Sequence, residues 1–207
     1  IAWLCIQFRS LNRGAELSDL RIGNTVFGPN DCCVVFQFVF GKSMRDGSSH
    51  EFAVKALPGD PTCPVAAFRA YVSVSRATLG WDWDALGAYV FPKMNVQNGE
   101  RLDKPLTPGA YAQRFQAYLG KAGLLEEETL HGLRAGGALD EALRGTSLEL
   151  IMQKGFWKSP LTARKYVGLL VAMVGKEFRD EVARRHAGFV QDAEEVLGER
   201  PSLLRLA

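Results

Sequence analysis

No apolar stretch in this 207-residue sequence reaches the roughly 18 residues that a membrane-crossing helix needs, so no membrane partner is expected. The opening, IAWLCIQFRS, has neither an initiating Met nor a basic leader, so it is not expected to be a secretory signal and reads as a piece of a longer chain. Internal repeats and low-complexity tracts are lacking as well. Charge of one sign is scarce: 25 Lys and Arg against 23 Asp and Glu leave a net charge of +2. Bulk charge therefore gives no argument for nucleic-acid binding. Cysteines number four, Cys5, Cys32, Cys33 and Cys63, with no CxxC and no cysteine–histidine spacing that suits zinc. Neither a metal nor a cofactor is expected. Cys32 and Cys33 open an apolar run and are expected as buried free thiols, in a reducing, intracellular setting.

What remains is an ordinary globular composition, 47% hydrophobic and 23% charged, long enough for one real core. Residues 2–11 read as a helix, and RGAELSDL continues with a short one. RIGNTVF reads as a strand, GPND as a turn, and CCVVFQFVF as a β-prone run. GKSMRDGSS turns the chain and EFAVKALP returns it, which makes residues 21–58 a small antiparallel sheet. Pro64 starts a helix to Leu79 and Pro108 one to Ala122, with an irregular connection over 81–106 between them. Thr129 caps a helix through Leu143 that Gly145 ends. Thr146 and Glu149 fit a capping box for the next helix, which stops at Gly155. Ser159 and Pro160 open a further helix, and 176–197 has helical apolar spacing. The fold class is mainly α with a small antiparallel three-stranded sheet.

One short stretch asks for an explanation. In HGLRAGG, His131 and Arg134 stand at i and i+3, on one face of the first turns of a helix. The N-terminal end of the dipole suits an anion and favours neutral imidazole. Gly136 and Gly137 allow another backbone to approach. Lys154, Lys158, Arg164 and Lys165 meet no acid between 154 and 165, while Glu194, Glu195 and Glu199 come later. A DNA-binding patch and a solvated helix face both fit that run.

The pair is accompanied. Arg13 stands in an R-x-x-E-L context, Lys42 in the turn after the β-prone run, Trp157 in GFWKS, and Tyr166 nine residues further in LTARKYV. Together, Arg13, Lys42, His131, Arg134, Trp157 and Tyr166 resemble the active-site set of the tyrosine recombinases, the family of phage integrases. Trp157 occupies a place where many bacterial members carry His. The G-x-W-x-S form is similar to recombinases of eukaryotic mobile elements such as Cryptons and DIRS-like elements.

The resemblance implies a catalytic domain over 1–175. A C-terminal helix and tail over 176–207 would pack on a neighbouring protomer or on its own domain, and the N-terminal core-binding domain would lie outside the chain. It implies a site-specific recombinase that cleaves and rejoins DNA through a 3′-phosphotyrosine formed by Tyr166. Arg13 and Arg134 would bind the phosphate, Lys42 would act as general acid, and His131 would accept or relay the tyrosine proton. Trp157 would donate its indole N–H and pack the site. Expected partners are double-stranded DNA and further copies of the chain, as a dimer on one site and a tetramer in synapsis. The place of action would be with DNA, in the nucleus of a eukaryote or the nucleoid of a bacterium. Arg9 and Arg21 rival Arg13, Lys55 rivals Lys42, and Tyr111 and Tyr118 rival Tyr166. A non-cutting DNA-binding module and a type IB topoisomerase-like relaxing enzyme are the alternative functions.

Overall fold

The computed structural model describes residues 1–38, 49–95, 97–124 and 128–173, with side chains to 167. The chain divides into two compact units, Ile1–His131 and Gly132–Ala207. Both the small sheet and the predominance of helix are as expected.

In the first unit, α1 (Ala2–Ser10) ends where buried Leu11 takes a left-handed conformation, φ 58°, and its N–H returns to the Gln7 carbonyl. That tight stop leads into the short α2 (Gly14–Ser18). Strands β1 (Thr25–Phe27), β2 (Cys33–Phe38) and β3 (His50–Lys55) form an antiparallel sheet in the order β1-β2-β3. The alternation along β2 buries Val34, Phe36 and Phe38, and Phe36 lies opposite Phe52 of β3. Of the strand expected over 21–27, Thr25–Phe27 pairs with β2 and Arg21 forms an isolated antiparallel bridge with Tyr89; Ile22–Asn24 between them is a 3-10 turn.

Helices α3 (Pro64–Leu79) and α4 (Pro108–Ala122) match the sequence expectation, each with Pro in its first turn. Each ends at a left-handed glycine, Gly80 and Gly123. The core of this unit is largely aromatic. Phe36 meets Phe68 edge-on, Phe68 meets Phe91, Phe91 meets Trp3, and Trp3 stacks on Tyr111. Trp83 donates its buried indole N–H to Ser75 Oγ at 2.9 Å.

Residues 81–106 are more ordered than the sequence predicts. β4 (Pro92–Met94) and β5 (Arg101–Pro105) form a second, two-stranded antiparallel sheet around the left-handed Gly99. The cysteine expectation also needs correction. Cys32 is exposed because it sits in the turn before β2, and Cys33 is half-buried because it opens the strand on its less buried face.

α5 (Leu130–Leu143) ends in a Schellman turn, with Gly145 at φ 89° and the Thr146 N–H bound to the Glu141 carbonyl. The cap of α6 (Leu148–Gly155) is Ser147, whose Oγ accepts from the Leu150 N–H; Thr146 instead hydrogen-bonds Glu141 Oε2 at 2.7 Å. The cap is thus shifted by one residue, because the turn that ends α5 takes Thr146, and the expected box with Glu149 gives way to a simple serine cap, since the third helical residue is now Leu150. α7 (Pro160–Met173) follows. Among the described residues, Ala138, Ala142, Ile151, Ala163 and Val167 are the buried aliphatic positions of this second unit. The helix expected over 176–197 and the tail to 207 lie outside the described residues. So does Lys42.

Candidate active site

The first unit holds Arg13 and His131. Arg13 is the N-cap of α2, in extended conformation. Glu16, the third residue of the helix, reaches back to it. One carboxylate oxygen accepts the Arg13 backbone N–H at 2.7 Å, and the other accepts Arg13 Nη1 at 3.0 Å. Glu16 is buried, whereas the Arg13 side chain is 38% exposed. A fixed carboxylate therefore aims a reachable guanidinium, which is what the R-x-x-E context does here. Arg9 is buried and bound to Asp60 Oδ2 at 2.8 Å and Thr62 Oγ1 at 2.6 Å. Arg21 lies 3.4 Å from the Tyr89 ring centroid and donates to the Gly87 carbonyl. Both rivals have structural work. Lys55 is exposed at the end of β3, opposite Cys33.

The rival tyrosines are placed as follows. Tyr111 is buried against Trp3, and burial pushes its phenol well above the ordinary tyrosine range. Tyr118 is exposed on α4, at the edge of an apolar groove of about 510 Å³ lined also by Val74 and Leu79.

α5 carries both His131 and Arg134, one turn apart. His131 is exposed at its start, and Arg134 is only 1% exposed. Desolvating a guanidinium costs several kcal/mol unless something compensates. Within the second unit, Arg134 Nη2 donates to the Gly155 carbonyl, and its guanidinium carbon stands 4.6 Å from the Trp157 ring centroid. The Trp157 ring in turn meets the Tyr166 ring at 4.9 Å between centroids, tilted by 33°. Three of the six candidates, Arg134, Trp157 and Tyr166, are thus in one contiguous stack.

The backbone explains how Trp157 comes to be there. α6 ends in a second Schellman turn: the Phe156 N–H binds the Gln153 carbonyl and the Trp157 N–H the Met152 carbonyl. Phe156 sits at the left-handed position, φ 51°, that glycine fills at the ends of α3, α4 and α5. The chain doubles back, and the Trp157 ring lies flat on Gly155. A Cβ at 155 would stand 2.6 Å from Trp157 Cε3 and Cζ3. Gly155 is therefore part of the site twice, through its carbonyl and through its missing side chain. Sequence reasoning read it only as a helix stop; GFW, a glycine two residues before a buried Trp, is the signal that was there.

Of the expected DNA contacts, Lys158 is exposed, and Arg164 and Lys165 are half-buried on α7. Lys154 forms an ion pair with Glu141 at 2.7 Å. Among the described residues no group of three or more His, Cys, Asp or Glu is arranged to hold a metal ion. No described helix is long and apolar enough to cross a membrane.

The fold is similar to that of XerA recombinase, with a TM-score of 0.62 and 18% identity over 89% of this chain and 55% of that one. It is similar to XerH site-specific recombinase bound to palindromic difH substrate in a post-cleavage complex, with a TM-score of 0.56 and 16% identity over 80% and 40%. A third likeness is to the Tn1549 transposon integrase in complex with transposon right end DNA, with a TM-score of 0.51 and 14% identity over 90% and 58%. This chain spans 40% to 58% of the length of these three proteins. No protein-family model and no curated protein sequence matches it. At these identities the likeness is one of fold, and the fold is that of the tyrosine recombinase catalytic domain.

Proposed function

We propose that this chain is the catalytic part of a DNA recombinase or integrase that breaks and rejoins strands through Tyr166. The observation that carries the reading is the stack of Arg134, Trp157 and Tyr166. It sets a buried cation and a phenol on the same indole, which brings a group able to stabilise phosphate charge close to a nucleophile. The Tyr166 oxygen attacks phosphorus, an O–P bond forms, and the bond to the 5′ oxygen breaks. The tyrosine proton passes to His131, and the 5′ oxygen takes a proton from Lys42. The product, a 3′-phosphotyrosine, keeps the bond energy, so a 5′-hydroxyl reverses the step without metal or nucleotide.

Arg13 and Arg134 pair with the nonbridging oxygens, where developing charge makes each donor worth a few kcal/mol. Trp157 adds its indole N–H. Lys158, Arg164 and Lys165 contact phosphates of double-stranded DNA, and Lys154 joins them by exchanging Glu141 for phosphate. The Tn1549 integrase is described in complex with transposon right end DNA and XerH as a site-specific recombinase bound to its difH substrate, which supports a DNA substrate. Self-association on paired sites, action wherever the cell's DNA lies, and origin in a mobile element belong to the same proposal.

Covalent trapping tests it. A library of randomised duplexes carrying 5′-bridging phosphorothiolates is incubated with the chain in EDTA and resolved on a denaturing gel. A DNA-shifted protein band that vanishes in Tyr166→Phe and falls at least 100-fold in Arg134→Ala is expected. Binding without any covalent band would sink the reading in favour of a non-cutting DNA-binding module. Relaxation of plasmids irrespective of sequence would replace recombination by a topoisomerase activity.

A further inference from the structure

Helix α1 carries three buried polar side chains that the proposed chemistry does not use, Gln7, Arg9 and Ser10. Gln7 is 1% exposed, in the middle of AWLCIQFRS. A buried carboxamide must find partners for both ends. Its Oε1 accepts from Trp3 Nε1 at 2.8 Å, one turn back on the same helix. Its Nε2 donates to the Leu130 carbonyl at 3.0 Å, 123 residues away. Leu130 is the first residue of α5, and His131 is the next.

A second observation meets the first at the same place. The site where a Cβ of Gly14 would stand is 3.7 Å from Trp3 Cζ2 and 3.8 Å from Leu130 Cδ1. Gly14 follows Arg13, and Leu130 precedes His131. The two candidate catalytic residues of the first unit therefore extend from backbones that border one small space beside the Trp3 ring, whose indole N–H binds Gln7. The packing limits how closely the two backbones approach. The Gln7 carboxamide ties α1 to the start of α5 by a directed bond.

We propose that Gln7 is a positioning residue that fixes the first turn of α5, and with it His131, relative to Arg13. The inference rests on the reading of Arg13 and His131 as catalytic groups. Catalysis makes a stricter demand than stability does: a displacement of about 1 Å costs on the order of 100-fold in rate, whereas a helix end can shift that far and still pack. Gln7 thus acts on the chemical step through His131 and does not itself touch the phosphate.

The test is a double-mutant cycle read by the covalent-trapping rate on the phosphorothiolate library. Gln7→Met keeps the length and removes both hydrogen bonds. A second variant, Trp3→Phe with Gln7→Met, replaces both polar partners by apolar ones, so that no buried indole N–H is left unmet if the single change fails to fold. Expected is a loss of about tenfold or more in the His131 background and none in the His131→Ala background, because a residue acting through His131 has nothing left to position. Trp3→Phe alone, which keeps the bond to Leu130, stays within about twofold of the parent.

An equal loss in both backgrounds would show a merely structural role, and no loss in either would show none; both overturn the proposal. A parent chain that gives no Tyr166-dependent band sinks the functional reading itself, an outcome distinct from these, and takes this inference with it.

Discussion

Replacing Gly155 by alanine adds one methyl group where the Trp157 ring now lies. The Cβ would be 2.6 Å from two ring carbons and 3.0 Å from a third. Carbon atoms at van der Waals separation stand about 3.5–4.0 Å apart, so the ring must retreat by about 1 Å. It is a rigid, buried bicycle, and it cannot give way at a flexible end. Retreat moves it relative to the Arg134 guanidinium and the Tyr166 ring, both of which it touches.

Two energies oppose each other. Alanine for glycine in a helix stabilises by about 0.5–1 kcal/mol. Overpacking a closed contact costs about 1–3 kcal/mol. The second wins, and the net loss of about 1 kcal/mol lowers Tm by roughly 2–4 °C in a chain of this size. The rate falls further, about 100-fold for a 1 Å displacement at the reacting groups. The assay is single-turnover covalent trapping beside thermal denaturation. A Gly155→Ala protein that melts higher than the parent and cleaves within twofold of it would refute the reasoning. That is the result helix propensity alone predicts.

The two arginines of the first helices are expected to separate stability from chemistry. Arg9→Ala leaves Asp60 and Thr62 without a buried cation and destabilises by about 2–4 kcal/mol in denaturant titration, while cleavage per folded molecule is kept. Arg13→Ala removes a half-exposed group, changes Tm little, and lowers the trapping rate by about 100-fold or more; the reverse pattern would transfer the role to Arg9. Ser147→Ala removes the cap of α6 and costs about 1 kcal/mol, or roughly 2–4 °C in Tm, whereas Ser147→Asp retains it. An unchanged Tm in Ser147→Ala would return the cap to Thr146.

Some parts of the fold were legible because the local signal and the tertiary outcome agree. Pro64 and Pro108 open helices that Gly80 and Gly123 close, and the alternation in β2 buries the side chains it predicts. The hairpin of β4 and β5 was missed because its strands are short, are bounded by Pro92 and Pro105, and carry little apolar alternation. Its turn, however, contains Asn98 followed by the left-handed Gly99, a hairpin signal that outranks the irregular flanks. The exposed Cys32 escaped a reading that began the apolar run one residue too early. Gln7 escaped because an isolated carboxamide in an apolar helix gives no sign of the distant carbonyl it meets.

The site residues were legible in a different way, through spacing, and the geometry says why spacing works. Trp157 and Tyr166 are separated by a short turn and the first two turns of α7, elements with little freedom, so nine residues bring their rings together almost wherever such a segment occurs. Arg134 lacks that local link. It reaches Trp157 across α6, and what holds it there is the Gly155 carbonyl at the end of that helix. The position of the indole thus depends on three consecutive residues: a glycine that presents its carbonyl and no side chain, a phenylalanine that accepts a left-handed backbone, and the tryptophan itself. A left-handed non-glycine residue costs about 1–2 kcal/mol. The glycine used at the same position of three other helices would avoid that cost, whereas Phe156, like Leu11 at the end of α1, bears it, in the turn that sets Trp157 between a cation and a phenol.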